Sequence, residues 1–248
     1  MKFKKHIPNS ITCCNLISGC IATSYAFAGD AKIALLWIIM GAVFDFFDGM
    51  SARLLHVSSP VGKELDSLAD DVTFGVAPAT ILFNELAVLE YPTFLEPLRG
   101  YLPYVAFLMA AFSALRLAKF NLDERQATSF IGLPTPANAL FWGSLLVYNP
   151  AWIDDNSGAV FLLISLMLLS CYLLVSELPM FALKFKHWGW RGNEVKYSFA
   201  LLSLCCLLYF GWLEAWWIII TLYLLASVLL RKQTQQKSQF RRLLLWHF

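Results

Sequence analysis

The chain has 248 residues, of which 58% are hydrophobic and only 15% charged, with a formal net charge of +2 and a mean hydropathy of +0.60. A water-soluble domain carries about 25% charged and about 45–50% apolar residues. The composition therefore excludes a soluble fold and predicts an all-α, polytopic membrane helix bundle with no separate soluble domain and no nucleic-acid partner.

Eight apolar segments of about span length follow one another. The first, near 10–28, stands behind the basic start Met1-Lys-Phe-Lys-Lys-His6. Ala26-Phe-Ala28 approaches a small-x-small cleavage site, but the run reads as an uncleaved span with a basic anchor. The next three lie near 31–54, 64–88 and 101–120. The fifth, 136–149, is short and begins at Pro136, which implies a tilt or an extension through 129–135. The sixth covers 158–178, and the last two, 197–213 and 215–231, are parted only by a tight hairpin at Leu213-Glu214. The tail, Phe240 to Phe248, reads as an interfacial anchor whose Arg241 and Arg242 favour anionic headgroups.

Charge sets the expected orientation. With the N-terminus inside, all of the 19 basic residues except Lys32 and Arg99 fall on inside segments, as the positive-inside rule requires. Both termini are then cytoplasmic. Outside loops are acidic (Asp30, Glu85, Glu90, Glu96, Asp154, Asp155, Glu214), and tryptophans and tyrosines gather near span ends as an interfacial belt. The six cysteines sit inside apolar runs, without zinc-type spacing to histidine, and read as small hydrophobes packed in helices.

Against this background stand Asp45, Asp48, Asp66 and Asp70, close to the inner ends of the second and third spans. One acidic residue at a span centre costs about 2.5–3.5 kcal/mol on insertion scales, so four left bare would cost on the order of 10 kcal/mol. Asp45 and Asp48 are spaced i, i+3 and Asp66 and Asp70 i, i+4, so each pair shares a helix face. A turn through Ser58-Ser59-Pro60 lets the two helices run antiparallel and the carboxylates converge. All-oxygen ligands without His or Cys select Mg²⁺ or Mn²⁺, with Ca²⁺ also suited. Gly49, Ala52 and Gly62 clear space on the carboxylate face, either for a ligand or for close helix packing. A divalent metal beneath the membrane surface suggests a phosphorylated lipid substrate. Arg53, Arg116 and Lys119 stand where they can take its remaining charge, or where they simply snorkel. A cation transporter would spread its acids through the membrane depth. Here they collect at one face, and no inverted repeat is present.

The pattern D-x2-D-G-x2-A-R-x8-G-x3-D-x3-D, running from Asp45 to Asp70, resembles the signature of the CDP-alcohol phosphatidyltransferases, with every fixed position in place. The resemblance implies a six-helix catalytic core over 1–180, usually homodimeric, with two additional helices over 181–232 and a cytoplasmic tail over 233–248. It also implies a metal-dependent exchange in which an alcohol displaces CMP from a CDP-linked lipid. Asp45, Asp48, Asp66 and Asp70 would hold the metal, and Asp70 would also act as general base. Gly49, Ala52 and Gly62 would make room for the cytidine nucleotide, with Arg53 supporting the site. Gly62 to Pro78, Arg116-Leu-Ala-Lys-Phe-Asn121, Phe130 to Ala137 and Pro8-Asn9-x2-Thr12-x2-Asn15 are similar to the branch that makes phosphatidylserine. That branch takes CDP-diacylglycerol and L-serine; glycerol 3-phosphate or an inositol compound are the other acceptors in the family. Arg116, Lys119 and Asn121 would contact phosphate or the serine carboxylate. Lys119 stands where the branch more often has arginine, which keeps the charge but loses the planar fork.

Overall fold

The computed structural model describes residues 6–123, 132–150, 153, 158–178, 180, 189–190 and 193–229, and every regular element among them is helical. Helix α1 (His6–Phe27) is followed by α2 (Ala31–Leu54). A continuous helix then combines α3 (Pro60–Asp70), a π-helical turn (Asp71–Val76) and α4 (Ala77–Val88). A 3₁₀ turn over Leu102–Phe107 leads into α5 (Leu108–Leu122), and α6 (Thr135–Tyr148), α7 (Ala159–Val175), α8 (Glu194–Phe210) and α9 (Trp216–Leu229) complete the order. Helical stretches thus stand at each of the eight apolar segments, and the chain is a multi-pass membrane protein. His6–Phe27, Ala31–Leu54, Pro60–Val88 and Leu102–Leu122 are long and apolar enough to cross a bilayer, with 22, 24, 29 and 21 residues. At 1.5 Å per residue each exceeds the roughly 30 Å hydrocarbon thickness. Ala159–Val175 and Trp216–Leu229 are shorter apolar helices.

Local chemistry fixes the helix ends. Asp30 accepts the Ile33 N–H (2.9 Å) and opens α2. Ser59 accepts the Gly62 N–H (3.0 Å) with Pro60 in the first turn, so the third helix starts before the apolar run near 64. Hydropathy misses that turn because Lys63 and Glu64 are polar. Gly211, at φ +97°, ends α8, and the Ala215 N–H returns to its carbonyl (3.1 Å) to start α9, which is the hairpin expected at Leu213-Glu214. Before α6, residues 132–134 are not helical. Gly132 (φ +75°) donates its N–H to the Leu178 carbonyl (2.8 Å), and Leu133 to that of Leu173 (2.9 Å), pinning α6 to the end of α7. Residues 129–131, the charged loops around Asp154 and Lys184, and the tail 233–248 lie outside the described residues.

The core is built where the 60–88 helix threads between its neighbours. Phe74, Leu82, Leu86, Ile38, Trp142, Met109, Leu163 and Met167 are fully buried there. Small residues let backbones approach: a Cβ on Gly19 would stand 2.8 Å from the Thr73 Cα, and one on Gly41 2.9 Å from Asn15 Oδ1. The outer surface is apolar, with Leu54, Leu122, Leu208 and Tyr209 widely exposed, as a lipid-facing surface must be.

Candidate active site

Helix α1 prepares the site. Its buried positions, Pro8, Thr12, Asn15, Ser18, Gly19, Ala22 and Ala26, recur at three- and four-residue spacing and form one stripe. The stripe is polar at the start of the helix and small further on, and α1 packs against both α2 and α3. The polar end meets the aspartates. Thr12 Oγ1 donates to Asp48 Oδ2 (2.6 Å), and Asn15 Nδ2 donates to Asp70 Oδ1 (3.0 Å). Asn15 is itself held, because Thr73 Oγ1 donates to its Oδ1 (2.8 Å) and reaches its backbone carbonyl (3.0 Å). Thr73 belongs to the π-helical turn, whose wider winding carries this side chain to α1.

Asp45, Asp48 and Asp66 each offer a carboxylate oxygen, and these atoms lie within 4.8 Å of one another. Asp70 falls outside that trio. One helical turn separates it from Asp66, about 6 Å along the axis at the rise of an α-helix, and it lies buried against Asn15. Among the described residues no lysine or arginine forms an ion pair with any of the four. Like charges this close repel by several kcal/mol at protein-like screening. The trio is therefore a donor set that fits a hard divalent cation, with oxygen ligands only and negative charge otherwise uncompensated.

A cavity of about 280 Å³ opens beside the trio, lined by Asp45, Asp48, Asp66, Gly49, Ala52, Gly62 and Lys63 together with Asn9, Thr12 and the Val57–Ser59 turn. The two glycines differ. A Cβ on Gly49 would meet only the Arg53 guanidinium, at 3.9 Å, so no protein atom requires the space there. At Gly62 it would press on Asn9 Oδ1 and Ser59 Oγ at 3.0 Å, so this glycine also serves the helix start.

The basic residues are placed differently from one another. Arg53 is exposed at the rim and donates its Nε–H to the Gly49 carbonyl (2.9 Å). Arg116 is buried, donates to Thr135 Oγ1 (3.3 Å), stacks over Phe120 and has no partner for its Nε among the described residues. Lys119 is exposed. Asn121 clamps α3 to α5: its Nδ2 donates to Ser67 Oγ (2.7 Å), and its carbonyl accepts Lys63 Nζ (2.8 Å). Neither Arg116, Lys119 nor Asn121 lines the cavity. Among the described residues, the cation that does is Lys63, whose charge bears only on topology in the sequence.

Thr12, Asn15, Asn9 and Thr73 also carry no expectation from sequence as site residues. The signal for three of them was present: Asn9, Thr12, Asn15 and Ser18 place a polar group at every third position of the first apolar run. Thr73 gave none, because a single threonine in a span is ordinary.

A membrane helix bundle that gathers carboxylates beside a polar cavity at one end is the class this geometry defines. The CDP-alcohol phosphatidyltransferase family model matches residues 5–175, and the chain belongs to that family. A Bacillus subtilis protein named CDP-diacylglycerol–serine O-phosphatidyltransferase is 37% identical over 170 residues, covering 64% of this chain and 87% of that one. A Mycobacterium bovis protein of the same name is 32% identical over 181 residues, covering 70% of this chain but 60% of the relative. A Helicobacter pylori protein of that name is 29% identical over 234 residues, covering 90% of this chain and 89% of its own length.

Proposed function

We propose that this protein transfers the phosphatidyl group of CDP-diacylglycerol to the hydroxyl of L-serine, giving phosphatidylserine and CMP. The observation that carries the reading is the approach of Asp45, Asp48 and Asp66 to within 4.8 Å beside a cavity cleared by Gly49 and Ala52. These three, with Asp70 behind them, would hold a divalent cation, Mg²⁺ or Mn²⁺. When bound, it would neutralise phosphate charge and favour departure of CMP.

The protein's own groups supply the rest. The cavity is at the small end for ligand sites, which suits a nucleotide head group while the acyl chains remain in the bilayer. The open space over Gly49 is where the cytidine nucleotide would lie against backbone, with Arg53 at the rim. Asn15 holds Asp70 Oδ1 and leaves Oδ2 to accept the proton of the serine hydroxyl. As that proton moves to Asp70, the serine oxygen bonds to the phosphorus bearing diacylglycerol. The bond from that phosphorus to the bridging oxygen breaks, and its electron pair leaves with CMP. A serine hydroxyl is far too weakly acidic to attack unaided, and a positioned base contributes about 10²–10⁴-fold. Arg116, buried and with Nε unpartnered, is the strongest candidate for the serine carboxylate or lipid phosphate, with Lys119 and Asn121 as outer contacts. A phosphorylated acceptor would demand further cations, whereas among the described residues Lys63 is the sole basic side chain lining the cavity.

The reading places residues 1–180 as the six-helix core, with 181–232 as added helices and 233–248 as a cytoplasmic tail. It also places the bundle in the cytoplasmic membrane as a homodimer, with both termini and the site facing the cytoplasm. The test is product identity: purified protein with labelled CDP-diacylglycerol should release CMP only when serine is supplied, and the labelled lipid should be phosphatidylserine. Turnover with glycerol 3-phosphate or inositol in place of serine would refute the acceptor.

A further inference from the structure

A second cavity, of about 350 Å³, lies between α6, α7 and α9 and shares no residue with the aspartate pocket. Its walls are apolar, formed by side chains such as Leu133, Phe141, Leu166, Leu173, Met180 and Leu224. One group does not belong among them. Asn138 is fully buried, and among the described residues neither Nδ2 nor Oδ1 of its carboxamide has a hydrogen-bond partner. The hydroxyls around the cavity are already engaged. Ser170 accepts the Trp142 indole N–H (3.1 Å) and donates to the Met167 carbonyl (2.9 Å). Thr221 and Ser227 donate to the carbonyls of Trp217 and Tyr223. Buried amides without partners are rare because they forfeit hydration for nothing.

We infer that this cavity binds one acyl chain of a monoacyl glycerophospholipid, whose glycerol backbone satisfies Asn138. The carboxamide lacks both an acceptor for its N–H and a donor for its oxygen. A glycerol carrying an acyl ester beside a free hydroxyl offers both: the ester carbonyl accepts from Nδ2, and the hydroxyl donates to Oδ1. Apolar walls repel water and accept a hydrocarbon chain, and the surrounding phase supplies such chains. Leu178 and Met180, beyond the end of α7, also line the cavity. Asn138 lies one turn from Thr135, to which Arg116 donates. The head group therefore emerges at the end of the bundle where the aspartates stand. A diacyl lipid has the esters but lacks the hydroxyl.

Delipidated full-length protein in detergent is incubated with 1-palmitoyl lysophosphatidylcholine and examined by native mass spectrometry. One molecule should be retained, and Asn138→Leu should weaken retention at least about tenfold, since it removes both hydrogen bonds that the carboxamide makes to the lipid. Asn138→Leu should also raise the melting temperature of the lipid-free protein, since it removes the orphaned amide, and should leave CMP release intact. Leu224→Trp, which fills the cavity, should abolish retention independently. Asp70→Asn should retain lipid normally, so failure of the proposed chemistry and failure of this site are separate results. Equal retention by Asn138→Leu, equal retention of 1-palmitoyl-2-deoxy lysophosphatidylcholine, which keeps the ester and lacks the free hydroxyl, or no retention by the unaltered protein would overturn the inference; the last would mean that water or the chain's own tail occupies the space.

Discussion

Asn15→Leu tests whether α1 positions the base. The substitution keeps the number and branching of the side-chain heavy atoms, although its methyl groups are bulkier than the carboxamide atoms, and it removes the donor, the Nδ2 group 3.0 Å from Asp70 Oδ1. It strands no hydroxyl, because Thr73 keeps the residue-15 backbone carbonyl at 3.0 Å. A hydrogen bond to a charged group contributes about 1.5–3 kcal/mol. If that energy holds Asp70 in the reactive rotamer, kcat should fall about 10- to 150-fold. Asn15 does not line the cavity beside the aspartates, so KM for CDP-diacylglycerol should stay within about twofold of wild type, a difference of less than 0.5 kcal/mol. Initial rates of serine-dependent CMP release across lipid concentration separate the two parameters, and a melting curve in detergent confirms folding. Thr73→Val, which frees Asn15 Oδ1, should lower kcat in the same direction by a smaller factor. An unchanged kcat, or a raised KM at constant kcat, would refute the positioning role.

Asp70→Asn is expected to abolish CMP release while CDP-diacylglycerol still binds; full turnover in that variant would rule out the base. Gly49→Leu should leave the melting temperature unchanged, because the space over Gly49 holds only the Arg53 guanidinium at 3.9 Å, yet should raise KM for the nucleotide lipid by at least about tenfold. Gly75→Ala is predicted to destabilise by about 1–3 kcal/mol through overpacking, since its Cβ would stand 2.9 Å from the Ser113 Cβ; chemical denaturation in detergent measures this. Lys119→Arg should preserve activity, as Lys119 is exposed on α5, and a large loss would mean that the lysine makes a specific contact.

Much of this architecture is legible in the chain because membrane helices announce themselves by hydropathy. The Asp45–Asp70 spacing is equally plain, since few residues in an apolar run can be charged without a purpose. Other features were hidden for physical reasons. The π-helical turn over Asp71–Val76 has the composition of any helix, so its change of register, and with it the reach of Thr73 to Asn15, leaves no trace in hydropathy. The separation of Asp70 from the other three carboxylates depends on depth along α3, whereas spacing shows only that Asp66 and Asp70 share a face. The involvement of Asn121 in an α3–α5 clamp depends on Ser67 and Lys63, which lie more than fifty positions away along the chain. Periodicity within one segment carries no information about such contacts. The polar stripe of α1 was readable but needs its partners, Asp48 and Asp70, to acquire meaning.

Asp45, Asp48 and Asp66 are expected to hold one divalent cation together. Mn²⁺ added to purified protein, with free ion followed by electron paramagnetic resonance, measures it without any turnover. Binding should be saturable, lost in the Asp48→Asn, Asp66→Asn double variant and retained in Lys119→Arg. Binding of equal strength in the double variant, or no saturable binding in the unaltered protein, would contradict it.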